Sequence, residues 1–368
     1  MISNTIKSNT SLYIGKDEIP LVNNSAEIFL HKSIILYGSS GSGKSVLIKH
    51  ILYLLKDKIP QVLIVNPTNK LNQDYTNIIP NQFIYDDIDE NFFTKIYNKQ
   101  SMAMQCYEKA NNINNLKKIF LECATYDEQE QYKTMEQIYI DTEYKIKKNF
   151  LHITQRKPKL KQLKETHNTT IRKFFKNIIE KNINTLLKKG EHMTDEYKII
   201  LKFLRFNPNL LLIFDDCGSR FKIWGKHTGV KELFFNGRHY KVTTLMAFQS
   251  DTTIPPELRQ NAFISIFTTK TCASSFIEKA TNGISKNDKK KFLAYIDHIF
   301  KPKSEYVNYQ KVCYFRLNQD FPIQYIIGDI HEDFKLGNKY LWKLSELVKK
   351  KEDGMDIDNE FYESFKVN

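Results

Sequence analysis

The chain has 368 residues, with 55 Lys+Arg against 42 Asp+Glu and a formal net charge of +13. A hydrophobic content of 41% with 13% aromatics supports a sizeable core and excludes wholesale disorder, and the length suits two domains or one large core with an insertion. No run approaches the roughly 18 apolar residues of a membrane span, Met1 to Asp17 holds no apolar signal segment, and Cys106, Cys123, Cys217, Cys272 and Cys313 fall in no CxxC spacing, so the expectation is a soluble intracellular protein without disulfide framework or zinc module.

The first strong pattern is Ser33-Ile-Ile-Leu-Tyr37, a short apolar run that predicts a buried strand. It leads into Gly38-Ser-Ser-Gly41-Ser-Gly43-Lys44-Ser45 and the helix-like stretch Val46 to Leu55. Strand, GxxxxGK[ST] loop and helix in that order make the motif specific for phosphates. Gly38, Ser39, Ser40, Gly41, Ser42, Gly43, Lys44 and Ser45 are therefore the expected ATP contacts. The glycines let backbone N–H groups turn inward and the helix N-terminus adds its dipole. Lys44 is to reach the β/γ-phosphates and the Ser45 hydroxyl to ligate Mg²⁺.

Residues 90–205 read as a helical insertion, with Ile171, Phe174, Phe175, Ile178, Ile179, Leu186 and Leu187 forming an apolar stripe that ends at the C-cap signal Lys188-Lys189-Gly190. An acidic stretch, Asp127 to Glu143, precedes a basic one: residues 145–205 hold 17 Lys+Arg and 5 Asp+Glu, nearly the whole excess charge of the protein. Lysine outnumbers arginine 48 to 7, which suits contact with phosphates as point charges more than bidentate reading of bases. The same ratio follows from an AT-rich coding sequence. Lys157, Lys159, Lys161 and Lys173 are the candidate DNA contacts, and a merely solvated charged surface is the alternative.

Beyond the insertion the α/β pattern resumes. Asn209-Leu-Leu-Leu-Ile-Phe-Asp215-Asp216 predicts a buried strand ending in two acids, Asp215 to organise Mg²⁺ through water and Asp216 to polarise the attacking water. A second strand, Val242 to Phe248, ends in Gln249, where an open α/β sheet places ligands and where the amide could sense the γ-phosphate. Arg238, in Gly237-Arg-His-Tyr240 just before that strand, is the candidate arginine finger acting on a neighbouring subunit; His239 beside it reads as structural. Arg259, in Ile254-Pro-Pro-Glu-Leu-Arg259-Gln-Asn261, is a second candidate that could touch phosphate in cis. Then come a strand (262–268), a helix (285–300) and strand-like runs at 311–317 and 322–327. The expected division is 1–89 and 206–345 as the two parts of the core, 90–205 as the insertion, and 346–368 as an acidic, frayed tail. Phe361, Tyr362 and Phe365 in that tail could form a short docking peptide.

These motifs, in this order, resemble the genome-packaging ATPases of nucleocytoplasmic large DNA viruses, the poxvirus-type members of the FtsK–HerA group of DNA-pumping ATPases. The resemblance rests on Tyr37–Ser45, on Leu212-Ile-Phe-Asp-Asp-Cys-Gly-Ser219, and on Asn236-Gly-Arg-His-Tyr-Lys241 before a strand ending in Gln249. It covers residues 26–70 and 205–335 and includes the Pro255…Asn261 element. It implies a P-loop NTPase fold of RecA/FtsK–HerA type with a mostly parallel central sheet, and ATP–Mg²⁺ bound by Lys44 and Ser45. It also implies Asp215 on the metal, Asp216 as catalytic acid, Gln249 as sensor and Arg238 as finger. Many relatives carry Asp-Glu where this chain has Asp-Asp, one methylene shorter at the second acid.

The function so implied is an ATP-driven double-stranded DNA translocase that packages a viral genome into preformed capsids. It would work as a homo-oligomeric ring with capsid or portal-vertex partners, in the host cytoplasm at viral factories or assembling virions. A cellular or plasmid DNA motor of the same group is the alternative enzyme, and an ATP-binding DNA or capsid scaffold the non-catalytic one. A nucleotide kinase would want an arginine-rich lid that seven scattered arginines do not supply.

Overall fold

Six of the strand-like runs read from the sequence line up side by side, and what they position is a phosphate-sized loop at the C-terminal end of a central strand. The computed structural model describes residues 11–89, 91–150, 152–188, 193–301 and 309–354. They form two units, one built from the residues up to Gln100 together with those from Pro208 onward, the other from Ser101–Asn207.

The first unit opens with a hairpin that the sequence did not announce, β1 (Leu12–Ile14) and β2 (Asp17–Ile19), and continues with α1 (Ala26–Phe29), β3 (Ser33–Tyr37), α2 (Lys44–Leu55), β4 (Gln61–Val65), α3 (Asn69–Asn72) and β5 (Ile84–Tyr85). After α4 (Asn91–Asn111) come α5 (Ile113–Cys123), α6 (Tyr126–Asn149), α7 (Ile153–Lys181), α8 (Ile183–Lys188) and α9 (Asp195–Lys202). The chain then returns as β6 (Leu210–Asp215), α10 (Gly218–Trp224), α11 (Thr228–Asn236), β7 (Val242–Phe248), α12 (Pro256–Asn261) and β8 (Ile264–Phe267), and closes with α13 (Lys270–Glu278), α14 (Lys286–Ile299), β9 (Gln310–Phe315), β10 (Ile323–Ile327) and α15 (Lys339–Glu352).

The sheet runs β10-β9-β8-β3-β7-β6-β4-β5. From β8 to β5 every pairing is parallel, and β9 lies antiparallel to both β8 and β10. Parallel strands are covered on both faces, which is why β3, β6 and β7 are buried at every position and read as continuous apolar runs. Alternation along each strand divides the core. Ile35, Tyr37, Leu212, Phe214, Met246 and Phe248 face one layer with Phe221, Trp224 and Phe276. Ile34, Leu36, Leu211, Ile213, Leu245 and Ala247 face the other with Leu47, Ile48, Ile51 and Leu55 of α2.

The sheet unit claims the first half of α4. Phe93 and Ile96 belong to its core, and the Gln100 amide donates to the carbonyl oxygens of Pro208 and Tyr240. The second unit has a core of its own, in which Leu116, Ile119 and Phe120 of α5 pack with Ile171, Phe175, Ile178 and Ile179 of α7 and with Leu186, Ile200, Leu201 and Leu204. Two expectations are corrected. Leu187, read as part of the apolar stripe, is exposed, because α7 ends at Lys181 and the short α8 starts a new helical phase. The tail expected to fray from 346 is helical to Glu352, since Asn338 caps α15 by accepting from the Tyr340 N–H and Lys349, Lys350 and Lys351 favour its C-terminus. Lys157 and Lys161 share one side of α7, whereas Lys159 and Lys173, offset by two and sixteen residues from Lys157 at about 100° per residue, lie on the opposite side. Part of the Lys-Lys-Gly signal at 188–190, and Phe361, Tyr362 and Phe365, lie outside the described residues. Among the described residues no helix is long and apolar enough to cross a membrane.

Candidate functional site

The loop between β3 and α2 is shaped by backbone that only glycine adopts easily. Gly41 and Gly43 have φ of 72° and 84°, in the left-handed region. Gly38 is needed for closeness instead: a Cβ there would stand 1.7 Å from Thr268 Oγ1 and 2.6 Å from Ser42 Oγ. Ser42 and Thr268 are hydrogen-bonded at 2.6 Å, so the residue after β8 braces the loop. Lys311 of β9 adds a second brace, its ammonium donating to the Ser42 carbonyl at 3.0 Å. Sequence reading singled out neither Thr268 nor Lys311. Both also line a cleft of about 510 Å³ that runs past Gly41, Ser42 and Gly43 to Phe300, Tyr309 and Ile330.

Lys44 begins α2 and folds back over the loop, donating to the carbonyl oxygens of Gly38 (2.7 Å) and Ser39 (2.8 Å). Partial burial lowers its pKa, opposed by the Asp215 and Asp216 carboxylates. These are the contacts that incoming phosphate oxygens would replace. Ser45, in the first turn of α2, is half-buried.

At the same end of the sheet β6 ends in Asp215, only 8% exposed. One carboxylate oxygen accepts from the Tyr75 hydroxyl at 2.7 Å. Burial pushes the Asp215 carboxyl up and Asp216 adds to that, while the Tyr75 hydrogen bond and Lys44 oppose it. A buried carboxylate that gains from a nearby cation, facing a phosphate loop, is the donor that a hydrated Mg²⁺ takes, so the residues fit the metal. Asp216 is exposed with φ of 56°, a left-handed non-glycine residue that turns its carboxylate out of the strand line. Cys217 behind it is buried, its thiol donating toward the Val65 and Asp215 carbonyls at 3.3 Å, and burial pushes that thiol up. All five cysteines are thiols.

Gln249 follows β7 and is exposed. It is brought to the loop because the Gly38 N–H donates to the Phe248 carbonyl at 3.0 Å. Asp251, two residues on, holds Arg259 at 3.0 Å and also pairs with Lys279. Arg259 is 6% exposed, so the expectation that it touches phosphate is corrected: its charge is used inside the unit to fix the turn after Gln249.

Arg238 lies elsewhere. It sits in a 3₁₀ turn (Gly237–Tyr240) ahead of β7, exposed, with Nε 3.3 Å from His239 Nε2. It lines a cleft with His31, Lys32 and Arg316. β3, β6 and β7 are parallel, so their C-terminal ends gather Lys44, Asp215, Asp216 and Gln249, while Arg238 is at the other end. A seven-residue strand separates the two, roughly 20 Å at 3.3 Å per residue. Arg238 does not reach the phosphate loop of its own chain. Lys157, Lys159, Lys161 and Lys173 are all exposed on α7 of the helical unit. Lys159 lies over the Phe150 ring at 4.6 Å and Lys161 is 4.0 Å from Glu165.

A family model described as RNA helicase matches residues 34–142, a span that holds the phosphate loop but stops short of β6. The chain is 29% identical over 366 residues to the B354L protein of African swine fever virus (isolate Tick/Malawi/Lil 20-1/1983), covering 95% of this chain and 97% of that one. It is 22% identical over 235 residues to the L437 protein of Acanthamoeba polyphaga mimivirus, covering 64% of this chain and 51% of that one. Among solved structures, the genome packaging NTPase B204 of Sulfolobus turreted icosahedral virus 2 in complex with ATP-gammaS superposes with a TM-score of 0.38 at 14% identity, over 84% of this chain and 100% of that chain.

Proposed function

We propose that this P-loop ATPase is a double-stranded DNA translocase that packages a viral genome into preformed capsids, working as a homo-oligomeric ring. The observation that carries the reading is the split between the two sheet ends. The phosphate loop, both acids and Gln249 share one end, whereas Arg238 stands roughly 20 Å away at the other. An exposed arginine so placed can complete a hydrolytic site only on a neighbouring copy, as an arginine finger does. The near full-length similarity to an African swine fever virus protein supports a viral setting, with capsid or portal-vertex partners at viral factories or assembling virions in the host cytoplasm.

In this reading the loop amides and Lys44 would bind the phosphates of ATP, and Ser45 and Asp215 would hold Mg²⁺. When bound, Mg²⁺ neutralises charge on the β- and γ-phosphates. Asp216, turned outward, accepts a proton from the attacking water. Gln249, anchored through Asp251 and Arg259, contacts the γ-phosphate and reports its loss to β7. Exposed lysines of α7 contact the DNA backbone without reading sequence.

The test is steady-state ATP hydrolysis with linear duplex DNA, single-stranded RNA or neither. Duplex DNA is expected to stimulate turnover, Lys44→Ala to abolish it, and Arg238→Ala to lower it by about 10³-fold. Mixing Arg238→Ala with Asp216→Asn protein is expected to restore part of the rate, because each supplies what the other lacks. Stimulation by RNA alone would favour the helicase-like reading suggested by the match over residues 34–142. ATP binding without turnover under any of the three conditions would favour a scaffold. Failure of the mixture to recover would sink the finger in trans.

A further inference from the structure

Halfway along α2, about 9 Å from Lys44 at 1.5 Å per residue, a second group of polar side chains meets. His50 is 1% exposed and faces the segment after β10, where Asp329 is exposed and His331 half-buried. His50 Nδ1 and His331 Nε2 are 2.9 Å apart. One donor atom from each of His50, Asp329 and His331 lies within 4.8 Å of the other two.

The surroundings assign the tautomer of His50 through its hydrogen bonds. The Asp329 backbone N–H approaches Nδ1 at 3.3 Å, which makes that atom an acceptor. Nε2 then carries the proton, directed to Asn24 Oδ1 at 3.4 Å. His50 Nδ1 thus takes its hydrogen bonds from the Asp329 N–H and the His331 ring, which an ion would displace, while Nε2 is directed to the Asn24 amide oxygen, the kind of outer contact found behind metal-bound imidazoles. The His331 ring is held flat against Tyr53, with centroids 3.7 Å apart and planes within 4°. Asp329 leaves the remaining side open to solvent. Two ring nitrogens on one tetrahedral ion at about 2.0–2.1 Å stand about 3.3 Å apart, so an ion would replace the hydrogen bond between the two nearly parallel rings, now 5.1 Å apart between centroids, with a few tenths of an ångström of opening and a turn of both rings toward it.

We propose that His50, Asp329 and His331 form a divalent transition-metal site, and that Zn²⁺ is the ion this two-imidazole, one-carboxylate set with an open position takes. The absence of CxxC spacing excluded cysteine zinc modules but is silent about a site of this kind, whose ligands are 281 residues apart. The ion would fasten the helix that begins at the phosphate loop to the segment that follows the last strand of the sheet.

The full chain, stripped with chelator, is titrated with Zn²⁺ alone in a calorimeter, and with Co²⁺ while visible absorption is recorded. One ion per chain is expected, with the cobalt spectrum of a nitrogen–oxygen site and no thiolate charge-transfer band. His331→Gln and Asp329→Asn should each weaken Zn²⁺ binding at least tenfold, and Asn24→Ala, which removes only the oxygen behind His50, by about tenfold. His331 and Asp329 are not deeply buried, so these variants keep the test open if His50→Ala fails to fold. Binding no tighter than millimolar, affinity indifferent to His331→Gln and Asp329→Asn, or a thiolate band would each overturn the proposal. None of these readouts depends on ATP turnover or DNA.

Discussion

The sheet unit and the helical unit answer to different constraints. In the sheet unit, β3, β6 and β7 have no exposed position, and Gly38, Lys44 and Asp215 at the site are held by atoms a few ångströms away. In the helical unit, α6 buries no residue along its 24 positions, and α7 buries only Ile171, Phe175, Ile178 and Ile179 of its 29. Its sequence is therefore free to carry charge wherever charge is useful, and Pro158 is tolerated inside α7 despite the backbone hydrogen bond it removes. One unit specifies a geometry, and the other offers a surface.

The largest effect should come where backbone itself is in contact. Gly38→Ala places a methyl group 1.7 Å from Thr268 Oγ1, which no small shift relieves. ATP binding is expected to be lost, measured with a fluorescent nucleotide. Thr268→Gly in the same chain should restore part of it, because the nearest obstructing atoms are then gone and Ser42 Oγ can rotate aside. Equal failure of the double variant would mean that Thr268 is not the obstacle.

Next is the buried pair behind Gln249. Arg259→Met leaves Asp251 with Lys279 alone, and breaking a buried pair costs about 3–5 kcal/mol. Because Lys279 remains, the lower end is expected, read as a drop in the urea midpoint at unchanged slope. A loss below about 0.5 kcal/mol, the usual range for a surface substitution, would show that Arg259 is not internal. Smaller again is Tyr75→Phe, which removes the donor to Asp215. Hydrogen bonds to charged groups contribute about 1.5–3 kcal/mol, and the same variant should raise the Mg²⁺ concentration needed for turnover.

Legibility in the sequence follows the same division. The phosphate loop was readable because its chemistry is local: eight consecutive residues between a strand and a helix. β6 and β7 were readable because burial on both faces leaves an uninterrupted apolar run. Tyr75 was not, since the carboxylate it serves is 140 residues away and a lone tyrosine carries no pattern. Arg259 was misread because an arginine near a nucleotide motif suggests phosphate, while its burial depends on how α12 and β8 pack. Lys311 looked like one lysine among 48 until β9 came to lie beside β8. β1 and β2, three residues each, were too short for period-two alternation to show. In the helical unit the apolar stripe was legible over α7 and lost at Leu187, where a helix break resets the phase.

The smallest effect on stability, and the sharpest test of what the helical surface is for, concerns the two sides of α7. Lys157→Glu with Lys161→Glu alters one side, and Lys159→Glu with Lys173→Glu the other. All four positions are exposed, so each pair should change folding stability by little more than about 0.5 kcal/mol per site. Their effect on DNA should be unequal, since a straight helix lying along a duplex presents one side. Each DNA phosphate that is no longer neutralised lowers the slope of log affinity against log salt by about 0.9, so the pair that faces DNA should lower it by about 1.8 and the other by almost nothing. Lys161 is partly answered by Glu165 at 4.0 Å and Lys159 rests on Phe150, so neither pair is favoured by exposure alone. Equal reductions would mean that DNA surrounds the helix or meets it end-on, and no reduction from either would remove α7 from the DNA path while leaving the sheet unit as described.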